Sequence, residues 1–426
     1  MDNIAASSAP VRLGLADAMA LAIHNNLAIQ LSVAQTEEAR GKALEAASDL
    51  LPRILGTASQ TRVFKQNLAA QGLTSLGPFN INPIIGPYDS FDARLHLVQN
   101  IFSPDSIWSS LAAHTNTHVA VLQEKLAKEQ VASAAALAYV EALRSERAVE
   151  AAQSDLDLAR SLYTQARDQH KAGISTGVDV ARAETRVAEQ NVRRVRAQLA
   201  SSNAQFRLKR ILGLSLVQTV ELTPTPQAVP LSLPGEEKEI SLAEQERIEL
   251  QLFRERLRAD DQSLRAVRAQ NWPSLQGMAD YGYSGNLPDN SAARTGSIGA
   301  YLELPIFYGG QIHGRVTEAE GRKRESEALY QDTLQQVEED VRVALQTLTA
   351  EVDEVNAANL GVSLAERELK MARDRYAAGV GDNIQVTSAQ AALAEARDEQ
   401  VDALSRYNVA RINLAAALGQ VQVFGF

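Results

Sequence analysis

Two stretches of the chain are versions of one another, and they decide how the whole sequence is interpreted. Residues 163–190 read YTQARDQHKAGISTGVDVARAETRVAEQ, and residues 369–396 read LKMARDRYAAGVGDNIQVTSAQAALAEA. Further positions match at the same offset: Gly173 with Gly379, Val180 with Val386, and Leu212-Gly213 with Leu418-Gly419. Upstream of both, Ile101-Phe102 aligns with Ile306-Phe307. The chain is therefore a tandem duplication, which indicates a repeated architecture.

The duplication predicts the domain organisation. We expect an N-terminal extension at 1–12, a first repeat at 13–215, a linker at 216–239, a second repeat at 240–420 and a C-terminal tail at 421–426. The linker is rich in proline and polar residues, which favours an extended crossover between the repeats.

Each repeat is predicted to contain a helix, two strands, a very long helix, a glycine-containing turn and a shorter returning helix. The first helices are expected at Leu15 to about Leu50 and about Leu242 to Asn271, the long helices at about 103–171 and 310–378, and the returning helices at 178–213 and 384–419. At 1.5 Å per residue, a long helix reaches about 100 Å and a returning helix about 54 Å. One long helix can therefore be flanked by two short helices stacked end to end.

An apolar stripe runs along the second long helix. Its residues recur at spacings of four and three: Val337, Val341, Leu345, Leu348, Val352 and Val355. Charged and amide side chains fill the positions between them, which is typical of helices that pack along their length. Periodicity alone leaves an ordinary two-stranded coiled coil open.

Four segments alternate between apolar and polar residues, as strands with one apolar face do. They predict strands at about 54–66 and 91–102 in the first repeat and about 275–284 and 297–307 in the second. In the first repeat, one face of the second strand would carry Phe91, Ala93, Leu95 and Leu97, and the other face Asp92, Arg94, His96 and Val98. Strands of around ten residues suit a tilted membrane crossing, and aromatic residues lie near their ends. Two soluble hairpins packed on the helices remain the alternative.

A membrane location for these strands requires an oligomer. Four strands cannot close a barrel, and open sheet edges are not tolerated in lipid. Two copies would supply eight strands around a filled interior, whereas three would supply twelve and leave a lumen. The residues favour three or more copies without fixing three.

Composition excludes several other classes of protein. Aromatic residues make up only 5% of the chain, and its net charge is −10. The arginines are interleaved with Glu and Asp, so no basic surface for nucleic acid is expected. The absence of cysteine excludes disulfides, thiolate metal sites and a cysteine nucleophile. No signal peptide is visible in residues 1–10, so an exported protein is expected here in its mature form.

The duplicated plan resembles the TolC family of outer-membrane efflux proteins. The resemblance covers about Leu13 to Gly419 and is most specific in the turn motifs KAGISTGVDV (171–180) and YAAGVGDNIQV (376–386). It implies a mainly α protein with a small β part, in which three protomers form a trimeric α-barrel and a 12-stranded transmembrane β-barrel with four strands per protomer. It also implies a location in the outer membrane of a Gram-negative bacterium, in contact with outer-membrane lipid, with the helices in the periplasm.

The resemblance implies a function and partners. The protein would be a passive exit duct of a tripartite efflux or type I secretion system. It would form a homotrimer, meet a periplasmic membrane-fusion adaptor and, through it, an inner-membrane pump. The alternative is a periplasmic coiled-coil adaptor or scaffold. An adaptor would need one hairpin and a lipoyl-like β domain, whereas this chain has two equal hairpins.

The helical turns correspond to the family's periplasmic tip. The tip and adaptor contact is expected at Gly173, Ile174, Gly379 and Val380. The two glycines are also expected, from the residues alone, to cap the ends of the long helices. The resemblance pairs Tyr376 with Asp179 as a gate link between neighbouring hairpins.

Two departures from the family occur at the tip. Gly381 stands where the family has an arginine, and Gln385 and Ser388 stand where it has rings of aspartate. We expect Asp382, Gln385 and Ser388 to line the tip, with Asp382 as the replacement charge.

No catalytic or cofactor site is predicted. His114 and His118 have a metal-ligand spacing on a helix but no third ligand, so we expect an exposed helix surface. Residues 309–314 (GGQIHG) lack the context of a nucleotide-binding loop and are expected to form a strand-to-helix turn. The acidic run 338–340 is expected to be a solvated face. We predict a protein that is not an enzyme.

Overall fold

The computed structural model describes residues 11–71, 75–76, 79–80, 84–173, 175–223, 235–378 and 380–423. These residues group into two compact units, each assembled from separate stretches of the chain. Unit 1 draws on Met1–Gln35, Val121–Leu252 and Tyr330–Phe426, and unit 2 on Thr36–Ala120 and Phe253–Leu329.

The two repeats contain the same series of helices, as the duplication predicts. The first repeat has α1 (Leu15–Asn25), α2 (Leu27–Ser48), α3 (Pro104–Lys171) and α4 (Gly177–Ile211), and the second has α5 (Glu236–Glu246), α6 (Ile248–Ala269), α7 (Gln311–Ala377) and α8 (Asn383–Ala417). A mainly α fold with a small β part is confirmed.

The strands fall into one long-stranded group and several short pairs. In chain order they are β1 (Val11–Leu13), β2 (Arg53–Val63), β3 (Gln66–Asn67), β4 (Ser75–Leu76), β5 (Phe79–Asn80), β6 (Ile84–Ile85), β7 (Tyr88–Phe102), β8 (Val220–Leu222), β9 (Ser274–Gly285) and β10 (Ala293–Glu303). Short 3-10 turns occupy Leu68–Gln71 and Val421–Val423.

The first helix of each repeat is broken, which corrects the prediction of single helices to about Leu50 and Asn271. The breaks lie at Asn26 and Arg247, whose backbones leave the helical conformation, with ψ of 135° and 121°. At the first break the sequence does carry a signal, because asparagine favours helix ends and the Asn26 Oδ1 accepts the Ala28 N–H over 2.9 Å at the start of α2. Around Arg247 neither proline nor glycine is present. Both breaks also contact the end of the returning helix of their own repeat.

At the first break, two amides bond the last carbonyls of α4. The Asn25 Nδ2 donates to the Leu212 carbonyl over 3.3 Å, and the Asn26 Nδ2 donates to the Ile211 carbonyl over 3.2 Å. At the second break, the Arg247 guanidinium donates to the Ala417 carbonyl at the end of α8 over 3.2 Å. The same guanidinium pairs with Asp340 and Glu249, each at 3.1 Å. The predicted solvated acidic face at 338–340 therefore includes one carboxylate that binds a neighbouring helix.

Matched glycines make these joints possible. Gly213 and Gly419 have left-handed backbones, with φ of +67° and +72°, and follow α4 and α8. The next residue of each turn donates its N–H back to the helix, Leu214 to the Lys209 carbonyl and Gln420 to the Ala415 carbonyl, so the exposed helix end is satisfied. A Cβ at Gly213 would lie 2.7 Å from the Asn25 side chain, so this position also requires a close approach.

The core of unit 1 consists of apolar seams along the helices. The predicted stripe of α7 is confirmed, since all of its members except the half-buried Val352 are buried. In the first repeat, alanines on α3 let the neighbouring helices approach closely. Ala132, Ala135, Ala136 and Ala142 are all fully buried there, at helical spacing.

Tyr139 ties a two-stranded sheet to α3. β1 and β8 pair in parallel, so part of the predicted N-terminal extension and part of the linker form one small sheet. The buried Tyr139 hydroxyl lies 3.0 Å from the Leu13 carbonyl and 2.6 Å from the Thr223 carbonyl. Burial raises the pKa of Tyr139 to about 12. The linker also ends earlier than predicted, because α5 begins at Glu236.

Unit 2 contains one four-stranded antiparallel sheet in the order β10-β9-β7-β2. The two strands of each predicted hairpin pair with one another. In the first hairpin β2 pairs with β7, from Arg53 opposite Val98 to Val63 opposite Tyr88. In the second hairpin β9 pairs with β10, from Ser274 opposite Glu303 to Ser284 opposite Ala293. The hairpins join through β7 and β9, with an irregularity at 100–102. β2 and β10 are therefore edge strands of this unit.

The last strand lies four residues earlier than predicted. β10 spans Ala293–Glu303 rather than 297–307. Pro305 has no N–H to donate, so it does not extend the ladder. Ile306 and Phe307 follow the strand and are strongly exposed.

Replacing Tyr139 by Phe tests the tie between α3 and the small sheet. The variant loses the hydroxyl that faces the Leu13 and Thr223 carbonyls, and we expect a loss of about 1–2 kcal/mol in the free energy of unfolding. Denaturant unfolding followed by circular dichroism at 222 nm measures it. Tyr163→Phe, a half-buried position on the same helix, removes the same atom and serves as the control; an equal loss in both variants would contradict the assigned role.

Candidate functional site

The turn between α3 and α4 is held by local hydrogen bonds. Gly173 has a φ of +76° and follows the end of α3, so its predicted role as a capping glycine is observed. The Ser175 hydroxyl donates to the Ala166 carbonyl over 3.1 Å. Thr176 caps α4 in a capping box, in which the Asp179 carboxylate accepts from the Thr176 N–H at 3.0 Å and from its hydroxyl at 2.7 Å.

The turn between α7 and α8 repeats this design with different chemistry. Asp382 occupies the N-cap position that corresponds to Thr176, and its carboxylate accepts the Gln385 N–H at 2.9 Å. Val380 donates its N–H to the Arg375 carbonyl and exposes its side chain. Ile174 and Gly379, two of the predicted tip residues, lie outside the described residues.

One side chain joins the two turns. The buried Asn383 donates its Nδ2 to the Asp179 carbonyl over 3.1 Å. Sequence reasoning missed this residue, because an asparagine after a helix cap usually serves its own turn. The predicted tip residues on both hairpins are thus brought together by an unpredicted contact.

Tyr376 lies beside Asp179 without bonding it. Its hydroxyl is buried and has no hydrogen-bond partner among the described atoms. Burial, reinforced by the charge of Asp179, raises the pKa of Tyr376, so the phenol stays protonated at neutral pH and can donate a hydrogen bond. The hydrogen bond of the Thr176 hydroxyl holds the pKa of Asp179 below its ordinary value. The predicted hydrogen bond between Tyr376 and Asp179 is therefore not formed here. The Tyr376 hydroxyl lies next to the Asp179 carboxylate, which instead caps α4.

The predicted tip-lining residues share one face of α8. Asp382, Gln385 and Ser388 follow one another at intervals of three residues and are all exposed. The opposite face of this helix start is apolar and buried, with Val386, Ala389 and Leu393 against Ala365, Leu369 and Ala372 of α7. α8 is therefore fixed by packing on one side and presents a polar row on the other.

A buried carboxylate links the helices above the turns. Asp155 of α3 is 2% exposed and lies 3.2 Å from Arg397 of α8 and 3.6 Å from Arg193 of α4. Arg193 also pairs with Asp398, and Arg397 lies 3.5 Å from Glu366 of α7. The network joins all four helices of the hairpin region. No sequence signal pointed to it, because similar charges alternate along every helix.

Two histidines with a metal-ligand spacing lie away from the turns. His114 and His118 are exposed, as expected, with ring centroids 5.1 Å apart. Throughout the ranges that the structure describes, no three His, Cys, Asp or Glu side chains are arranged to hold a metal ion. None of the described helices is both long and apolar enough to cross a membrane.

The sheet has two chemically distinct faces. Residues that pair directly across antiparallel strands share a face, so the register places Ile54, Leu95, Leu97, Ala279, Tyr281, Ile298 and Leu302 on one side. Most of these side chains are exposed, Ile298 at 89%. The other face carries a charged cluster around Arg94, which lies 2.7 Å from Asp92 and 2.8 Å from Asp280.

Comparison with known proteins identifies the family of this chain. The family described as "Outer membrane efflux protein" matches residues 18–214 and 240–420, one segment for each repeat. The chain belongs to this family. The matched segments cover most of its 426 residues.

The chain is similar to proteins whose names refer to secretion or to the outer membrane. It is 25% identical over 400 residues to the alkaline protease secretion protein AprF of Pseudomonas aeruginosa, covering 91% of this chain and 80% of the relative. It is 24% identical over 424 residues to the outer membrane protein TolC of Escherichia coli, covering 93% and 80%.

Solved structures share the fold. The Campylobacter jejuni CmeC outer membrane channel superimposes with a TM-score of 0.85 at 20% identity, covering 95% of this chain and 85% of that one. VceC of Vibrio cholerae gives a TM-score of 0.80 at 21% identity, covering 95% and 96%. The TolC resemblance and the outer-membrane location are thus confirmed, and this efflux protein is an outer-membrane channel rather than an adaptor.

The Asp155 network gives a test of what holds the hairpin region together. Asp155→Asn keeps the shape of the side chain but leaves two guanidinium groups beside a neutral amide, and we expect a loss of about 3 kcal/mol in the free energy of unfolding. Thermal and denaturant unfolding of the detergent-solubilised protein measure it. Asp157→Asn, on the exposed side of the same helix, removes an exposed ion pair with Arg160 and should leave stability unchanged. Equal effects in the two variants would refute the role of Asp155.

Proposed function

We propose that three copies of this chain form a passive exit duct, in which the sheets close a 12-stranded transmembrane barrel and the helices a tunnel. The tip at the helical turns binds a periplasmic adaptor, and the duct serves a tripartite efflux or type I secretion system. The observation that carries this proposal is a sheet with two open edges and an exposed apolar face.

The sheet alone is an incomplete membrane structure. Among the described residues, β2 and β10 each have one side without a strand partner. Their unpaired backbone groups would each cost several kcal/mol in lipid, so a neighbour must pair with them. Joining β10 of one copy to β2 of the next satisfies both edges, and the apolar face then meets lipid.

The helices also present unpartnered apolar stripes. On α4, Val192, Val195, Leu199 and Phe206 recur at helical spacing on the side opposite the buried residues Ala204 and Leu208. On α7, Leu360, Leu364 and Met371 form a second exposed row. The two rows come from different repeats, and a contact between different surfaces closes into a ring when the rotation permits.

The tip is proposed as the adaptor contact. Val178, Val380 and Ile384 expose apolar side chains around the two turns, at 59%, 70% and 52%. Apolar side chains at a helical end, surrounded by polar residues, suit a packed contact with another helical hairpin. Asp382, Gln385 and Ser388 are proposed to line the aperture beside them.

Charge placed on the α4 stripe tests the trimer. Leu199 is 64% exposed in the single chain and would be buried in the proposed assembly, where burial of a leucine contributes about 1.5–3 kcal/mol. We expect Leu199→Glu to lose the trimer on size-exclusion chromatography with light scattering in detergent, and to lose channels in planar bilayers.

The control for this test places the same charge nearby. Ala200 is also exposed but lies about 100° further round the helix, away from the stripe. Ala200→Glu should keep both the trimer and the channels. A wild-type protein that runs as a monomer and forms no channels would overturn the proposed function, whatever the variants do.

The gate link between Tyr376 and Asp179 is tested by conductance. If the phenol bonds Asp179 when the tip is closed, Tyr376→Phe combined with Asp179→Ala should raise single-channel conductance, because a closing link is lost. Asp179→Ala also removes the cap of α4, so Thr176→Ala, which breaks the same capping box and keeps the carboxylate, is the matched control. Conductance that rises equally in Thr176→Ala assigns the effect to the cap and removes the gate link.

A further inference from the structure

A belt of polar side chains crosses the whole sheet at one level. Thr57 of β2 bonds His96 of β7 at 3.0 Å, and Arg94 of β7 bonds Asp280 of β9 at 2.8 Å. Asp280 in turn accepts a hydrogen bond from Ser297 of β10. We call this set, together with Asp92, the charged belt. It reaches from one open edge of the sheet to the other.

The belt lies on a single face. His96 pairs directly with Asp280, and Asp280 with Ser297, so the register places these side chains on the same side of the sheet. Thr57 pairs with Arg94 on that side as well. The opposite side carries the exposed apolar residues. In a closed barrel of the proposed kind, the belt therefore faces the lumen.

A glycine makes room for the central arginine. Gly282 stands directly opposite Arg94, and a Cβ there would lie 2.2 Å from the Ala93 carbonyl oxygen and 2.4 Å from the Arg94 Cβ. No larger residue fits without moving strand β7. The backbone thus approaches Arg94 closely, and the guanidinium is held between its two carboxylates rather than reaching into open space.

The belt has an excess of negative charge. Asp92 and Asp280 outnumber Arg94, so each protomer contributes −1, and a ring of three contributes −3. The same face also carries Arg53 and Glu303 near the helical end of the strands, and their charges offset each other. A permeating ion therefore meets a net negative charge at the charged belt.

We infer that the charged belt sets the ion preference of the channel, favouring cations and retarding anionic solutes inside the barrel. The inference rests on the proposed trimeric duct. It adds a ring of negative charge in the sheet to the charge of Asp382 at the tip, where Gln385 and Ser388 are neutral. A fixed ring of like charges in a narrow aqueous passage raises the local concentration of counter-ions and lowers that of co-ions.

Bilayer recordings with a potassium chloride gradient test the inference. Asp280→Asn brings the ring from −3 to neutral and should lower the potassium-to-chloride permeability ratio, by about two-fold or more. Arg94→Gln makes the ring more negative and should raise the same ratio. Opposite directions in two variants of one cluster exclude general damage to the barrel as the cause. Asp92→Asn repeats the loss of one carboxylate per protomer and carries the test if Arg94→Gln does not assemble.

Two controls complete the experiment. Asp289→Asn removes the same charge from the turn between β9 and β10, outside the belt, and should leave the ratio at the wild-type value. The differences between variants should shrink in 1 M salt, where the Debye length falls to about 3 Å. Channels that form normally but keep the wild-type ratio in both Asp280→Asn and Arg94→Gln would overturn the belt while leaving the duct intact, whereas the absence of channels in wild type would overturn the duct itself.

Discussion

The backbone groups at the two edges of the four-stranded sheet govern the rest of this structure. In lipid, an N–H or C=O without a partner costs several kcal/mol, and a strand edge presents a row of them. One chain contributes only β2, β7, β9 and β10 to the sheet, with apolar residues exposed on one face and charges on the other. A chain of this kind satisfies its hydrogen bonds in a bilayer only with neighbours. In the proposed trimer the long helices associate in the same symmetry as the strands, and the exposed stripes of α4 and α7 are the surfaces proposed for that contact.

Much of the fold could be predicted because the same helix, strand and turn patterns occur in both repeats. The stripe of α7 and the paired glycines at 213 and 419 follow from spacing and from the left-handed backbone that a helix end favours. The break at Asn26 had a local signal that the single predicted helix overlooked, since asparagine caps helices and its Oδ1 accepts the Ala28 N–H. The break at Arg247 could not be predicted, because arginine is compatible with a continuing helix. Both breaks also bond carbonyls that lie far away in sequence. The position of β10 was missed because the alternation of apolar residues continues past Glu303, whereas the ladder ends before Pro305.

The sequence predicted where the site residues lie along the chain, but not which residues they contact. The turn motifs located Gly173, Asp179 and Asp382 at helix ends, where short polar side chains cap the backbone. The contact from Asn383 to the Asp179 carbonyl and the pairing of Asp155 with two arginines depend on how the two repeats pack, which no single-helix pattern encodes. Alternation likewise assigned Arg94 to the polar face of its strand, without naming its partner Asp280. Only the register between β7 and β9 brings them together.

The two joints between stacked helices solve one geometric problem with unlike chemistry. In the first repeat, neutral amides of Asn25 and Asn26 hold the end of α4. In the second, a guanidinium held by Asp340 and Glu249 holds the end of α8. Hydrogen bonds from neutral amides respond little to ionic strength, whereas an ion pair weakens when salt screens its charges. The two repeats are therefore unequal in their response to salt: high ionic strength weakens the joint at Arg247 and leaves the joint at Asn26 unchanged.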